Sequence, residues 1–125
     1  MTCPYRRKSK SITEDLIYLK VSNPAIAAPV YLPVIADVFQ ALGALYVMEG
    51  STLGGVYIVK MIQKKLPGNE NSFRFFSGYG DRNSMMWSRF KNALDKSTTN
   101  ENEMARILSG AEETFHAFFE WIKRN

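Results

Sequence analysis

One stretch dominates what this chain can fold into. No proline falls between Val34 and Lys65, and Val38, Leu42, Leu45, Tyr46, Leu53, Val56, Val59 and Ile62 recur mostly at threes and fours. That spacing predicts one long helix, or two helices end to end. Four glycines, Gly43, Gly50, Gly54 and Gly55, sit inside the pattern. Each costs about 0.5–1 kcal/mol relative to alanine in a helix interior, so something must offset them. Gly50 and Gly54 share a helix face, with Gly43 and Tyr46 near the same stripe. A stripe without side chains lets a flat ligand or another backbone approach, and a Gly/Ser run is a common place for a helix to bend. Two plainer readings remain open on spacing: helix packing through small residues, and a helix that ends and restarts at Gly54-Gly55. Gly50 and Gly54 also have the small-xxx-small spacing of membrane helix pairs. Asp37, Gln40 and Glu49 interrupt the apolar run, which argues against a span.

The remaining segments also read as helical. Ser11 and Glu14 form a capping-box pattern for a helix over Ser11–Leu19. Lys20–Pro33 holds Pro24, Pro29 and Pro33 and reads as an extended connector. Pro67-Gly68-Asn69 stops the long helix. A loop containing Phe73, Phe75, Phe76, Gly78 and Gly80 follows, the phenylalanines reading as a plug under the helices. Asp81 is the expected N-cap of a helix to Leu94. Asn100 and Glu103 open the last helix, whose stripe of Met104, Ile107, Leu108, Ala111, Phe115, Phe118 and Ile122 is expected to be buried. No segment alternates as a strand does. The expected class is all-α, one domain over residues 1–125 with a flexible basic terminus over 1–10.

Composition narrows the function classes. Of the 125 residues 46% are hydrophobic and 22% charged, which excludes wholesale disorder. Cys3 is the one cysteine and His116 the one histidine, so neither a disulfide framework nor a four-ligand zinc site can be built; no metal site is expected. No apolar segment follows Met1, so the expected location is the cytosol. The net charge of +4 is concentrated in residues 1–20 and 60–96, which suits an anionic partner of some kind. The basic residues are spread out, with no helix-turn-helix or stacking platform, so no nucleic acid is expected. No membrane is expected either.

The run Ala41-Leu42-Gly43-Ala44-Leu45-Tyr46-Val47-Met48-Glu49-Gly50-Ser51-Thr52-Leu53-Gly54-Gly55 resembles the distal-helix signature of bacterial heme oxygenases, the biliverdin-producing enzymes often found beside bacterial phytochromes. The likeness continues through Phe73–Phe76, Trp87 with Phe90, Ala111–Trp121 and, upstream, Arg6 to Leu16. It therefore covers nearly the whole chain. It implies a heme oxygenase-like multihelical bundle with a Gly-kinked central helix. It also implies heme as substrate and cofactor, and cleavage of the ring at a meso carbon to biliverdin, CO and iron. A reductase or ferredoxin would be the electron donor. By position, Gly50, Gly54 and Gly55 would form the heme-facing kink, and Ser51 would lie beside the distal water network. Gly50, Ser51 and Gly54 are thus the catalytic positions the resemblance implies. Animal members carry aspartate where this chain has Ser51, so that proton relay does not carry over intact. Tyr46, Arg89 and Lys91 would face the heme propionates.

The family's proximal histidine lies well before this signature, yet residues 1–40 contain no histidine. The resemblance therefore implies that these residues match the connecting region, and that the bundle is incomplete at its N-terminus. His116 falls between Glu112 and Glu120 on a polar face and reads as a solvated histidine, not a replacement ligand. Asp15 and Glu49 read as surface carboxylates, and Met85-Met86-Trp87 as core filling. A second functional reading is a non-catalytic helical interaction module: a scaffold lacking its proximal helices would expose an apolar patch and form a homodimer.

Overall fold

A computed structural model of the chain describes residues 9–22, 29, 31–68 and 72–124. Asp37 decides where the long helix starts. Its Oδ1 accepts hydrogen bonds from the Phe39 and Gln40 amides at 2.8 and 3.0 Å, and Gln40 Oε1 accepts from the Ala36 amide at 2.7 Å. These are the donors a helix N-terminus leaves unpaired. Helix α2 therefore spans Val38–Lys65, beginning four residues after the expected Val34. It is one helix by its hydrogen bonding, not two. Lys64 and Lys65 occupy its last turn, where cations complement the negative end of the helix. Gly68, at φ +92°, then turns the chain in a conformation that side chains disfavour.

The other elements are α1 (Ser9–Tyr18), α3 (Arg74–Ser77), a 3-10 turn (Gly80–Arg82), α4 (Asn83–Asp95) and α5 (Glu101–Arg124). No strand occurs among the described residues, and the fold is all-α. Helix α1 starts before Ser11, so the expected capping box is not its start; Ser9 and Lys10 are helical. At its other end the Val21 amide donates to Leu16 and the Lys20 amide to Ile17, both at 3.0 Å. That pair of bonds is a Schellman motif, with Lys20 at φ +58° in the position that favours glycine. Asp81 lies in the 3-10 turn rather than capping α4. The Asn83 carboxamide does the local ordering instead, accepting from the Tyr79 amide at 2.7 Å and donating to the Ser77 carbonyl at 3.1 Å. Asn100 caps α5 as expected, its Oδ1 accepting from the Asn102 and Glu103 amides at 2.9 and 3.1 Å. Cys3, Arg6-Arg7-Lys8 and Pro24 lie outside the described residues.

Packing divides the described residues into two compact units, 9–22 with 51–68 and 72–86, and 29 and 31–50 with 87–124. In the first, α1 packs on α3. Asp15 is buried there, its carboxylate accepting from the Arg74 and Phe75 amides at 2.9 and 3.0 Å. It belongs to the interior, contrary to the surface reading, because the first turn of α3 needs acceptors and α1 brings one. Phe73 is buried, as a plug should be, whereas Phe76 is partly exposed and lends its backbone to the packing instead. In the second unit α2 crosses α5 backbone to backbone. A Cβ at Gly43 would overlap the Ile107 carbonyl and the Ala111 amide, and one at Gly110 would overlap the Gln40 backbone. Arg106 closes that crossing, 2.7 Å from Asp37 Oδ2 and over the Phe39 ring.

The stripe of α5 expected to be buried is not. Met104, Leu108, Phe115, Phe118 and Ile122 are exposed, while Gly110 and Ala117 are the buried positions. The glycine-mediated crossing turns the small-residue side of α5 inward, because only that side lets the two backbones approach so closely. Glu49 and Thr52 of α2 are buried as well, so Glu49 is not the surface carboxylate it reads as in sequence. By length and composition alone α2 could cross a membrane. Its buried Glu49 and Thr52 and its capping carboxylate are instead features of a helix packed in protein.

Candidate functional site

The four glycines of α2 meet four different surroundings. Gly43 is sealed against the backbone of α5, and Gly55 against the Phe76 carbonyl, which a Cβ would overlap. A Cβ on Gly50 would sit 3.2 Å from the edge of the Trp87 indole. Among the described residues nothing lies within 4 Å of the Cβ position of Gly54. Packing through small residues thus accounts for Gly43 and Gly55, and leaves Gly54 as the α2 glycine whose missing side chain no described neighbour uses.

Gly54 lies in the first unit on an exposed apolar face. Tyr57 is 70% and Met61 62% exposed, and Leu53 and Ile58 are partly so. Tyr57, Ile58 and Met61 follow Gly54 at three, four and seven residues, so they line one side of α2 with it, and Leu53 lies one turn before Tyr57. Ser51 is exposed one turn earlier, while Thr52 and Gly55 are buried on the other side. An apolar strip with a bare backbone at one end admits a broad flat surface and offers it little polar competition.

Tyr46, Gly50 and Lys91 come together in the second unit around Trp87. The Tyr46 ring centroid lies 5.1 Å from that of Trp87, Phe90 stacks on Trp87 at 6.0 Å and 13°, and Lys91 Nζ is 5.5 Å from the indole. Lys91 therefore stands as a cation over an aromatic wall. Arg89 is exposed on α4 and is not part of this cluster. In the sequence Trp87 reads as core filling; its docking on Gly50 has no local signal, because the two residues are far apart in the chain.

His116 is placed as expected. Its Nε2 lies 3.6 Å from Glu120 and its ring packs on Tyr31 at 5.0 Å. Tyr31 donates its hydroxyl to Glu113 at 3.1 Å. That bond, followed by burial and by the charges of Glu113 and Glu120, raises the phenol above its ordinary pKa. Asp37 is shifted downward. The Gln40 amide has the largest effect, partial desolvation opposes it, and the Arg106 guanidinium and Phe39 amide reinforce it. Among the described residues no group of three or more His, Cys, Asp or Glu side chains is placed to hold a metal ion.

Heme can be tested against these surroundings. The Gly54 face suits a flat porphyrin on two counts: it is apolar, and no described residue comes within 4 Å of where a Gly54 Cβ would stand. The one histidine, His116 on α5 of the second unit, is engaged by Glu120 and by the Tyr31 ring.

Comparison with known proteins agrees with the helical architecture. The profile of the family described as heme oxygenase matches residues 8–124. A protein of Xanthomonas campestris pv. campestris (strain 8004) named heme oxygenase is 32% identical over 114 residues, covering 91% of this chain and 66% of that relative. The chain thus spans just under two thirds of the relative's own length. No solved structure matches significantly. With the match running from before α1 to the end of α5, and with no strand among the described residues to contradict it, the chain belongs to the heme oxygenase family.

Proposed function

We propose that this chain binds heme against the exposed side of α2 at Gly54 and takes part in oxidative cleavage of the ring to biliverdin, CO and iron. The observation that carries the reading is the open Cβ position of Gly54, the one α2 glycine that no described residue closes off. Family membership supplies the class of ligand. The Ala41–Gly55 run favours the bacterial, phytochrome-associated branch of that family.

Each residue then has a part. The bare backbone at Gly54 admits the ring face, and Tyr57, Ile58 and Met61 exclude water from one side of it. The Ser51 hydroxyl hydrogen-bonds water on the distal side. Gly50 lets Trp87 sit against α2, and that contact gathers Tyr46 and Lys91 around the indole. Gly55 acts at one remove by letting Phe76 close on α2. Heme held on this face would supply both the redox iron and the ring to be oxidised. The electrons come from a reductase or ferredoxin. His116, held by Glu120 and Tyr31, has no part in this reading, and binding and turnover are tested separately.

Hemin titration followed by ascorbate tests both. A saturating Soret band with one heme per chain supports binding, and growth of biliverdin absorbance supports turnover. A sloping, non-saturating spectrum would reject the heme reading.

A further inference from the structure

The uncovered side of α5 has a regularity that solvent does not require. Met104, Leu108, Ala111, Phe115, Phe118 and Ile122 advance by alternating steps of four and three, the repeat of a coiled-coil seam rather than of a broad globular face. All but Ala111 are exposed, Phe118 and Leu108 by 62% and 59%. The step pattern reads the same backwards. Laid antiparallel on itself, the seam sets Met104 against Ile122, Leu108 against Phe118, and the small Ala111 against the large Phe115. Charge agrees with that direction. Glu101 and Glu103 stand in the first turn, Lys123 and Arg124 in the last, with Glu120 3.5 and 3.8 Å from those two cations. Antiparallel pairing brings acidic ends to basic ends, and parallel pairing sets like against like. Five glutamates against three Lys/Arg along α5 also make it a poor match for an anionic lipid surface.

We propose that α5 is a homodimerisation helix, pairing antiparallel about a two-fold axis with α5 of a second copy of this chain through that seam. The proposal does not rest on the heme reading and can fail without it. Sedimentation over a concentration series gives the first test, with the mass expected to rise from one chain to two. Leu108→Glu with Phe118→Glu faces acid with acid and should move the midpoint at least about a hundredfold higher in concentration. Orientation is read by oxidative cross-linking with Cys3 replaced by serine. Met104→Cys with Ile122→Cys should give a covalent dimer, whereas Met104→Cys alone should not. Within one chain the two cysteines stand about 27 Å apart along the helix, too far for a disulfide. Efficient cross-linking by Met104→Cys alone would overturn the antiparallel seam. Monomeric mass throughout, whether or not the chain binds vesicles of neutral phospholipid, would overturn the dimer. If the glutamate variant fails to fold, the cysteine pair still decides.

Discussion

Gly43 and Gly54 both belong to α2, one in each compact unit, and serve opposite ends. At Gly43 the backbone of α5 fills the space a side chain would need; at Gly54 no described residue approaches. A bare position in a helix is therefore evidence only that something needs the room. Gly55 makes the point at closer range, adjacent to Gly54 in sequence and closed by the Phe76 carbonyl. A functional reading belongs to the glycine whose missing side chain no neighbour explains.

Alanine substitutions give the sharpest way to break that contrast. Gly43→Ala or Gly110→Ala pushes a methyl group into backbone that cannot yield cheaply, and each should cost about 3 kcal/mol in urea unfolding. Helix α1 supplies a control away from both glycines. Lys20 holds a left-handed conformation at the Schellman motif, so Lys20→Gly should stabilise by about 1 kcal/mol. Gly54→Ala should also stabilise, by about 0.5–1 kcal/mol, because it gains helix propensity and meets nothing. A destabilising Gly54→Ala would mean that this position is packed after all.

The smallest expected effect is a pH dependence at the start of α2. Asp37 has a lowered folded-state pKa, so its contribution is present above the ordinary carboxylate value and fades as pH falls through the depressed one. Thermal melts across the acidic range should show that step in the native chain. Asp37→Asn should lack it and melt lower at neutral pH.

Local chemistry made much of the fold legible. Asn100 with Glu103 announces the start of α5, and Pro67-Gly68 the end of α2, because capping and turn preferences act within a few residues. Asp37 with Gln40 was equally local, but the apolar pattern running back to Val34 masks it. Asp15 and Glu49 could not be placed that way, since their burial depends on segments far along the chain. For α5 the period was legible and the covered side was not: periodicity finds an apolar stripe but does not name its partner. The candidate site divides likewise. The glycine run points to a flat ligand or a close backbone, and α2 contains both. Only coordinates tell which glycine does which.

Parallel hemin titrations of the native chain and Gly54→Leu address the heme-facing role of that glycine most directly. The native chain should saturate at one heme, and Gly54→Leu, melting at or above the native temperature, should bind at least about tenfold more weakly. Equal affinity in a folded Gly54→Leu would place the heme elsewhere and reduce the open face of α2 to bare surface.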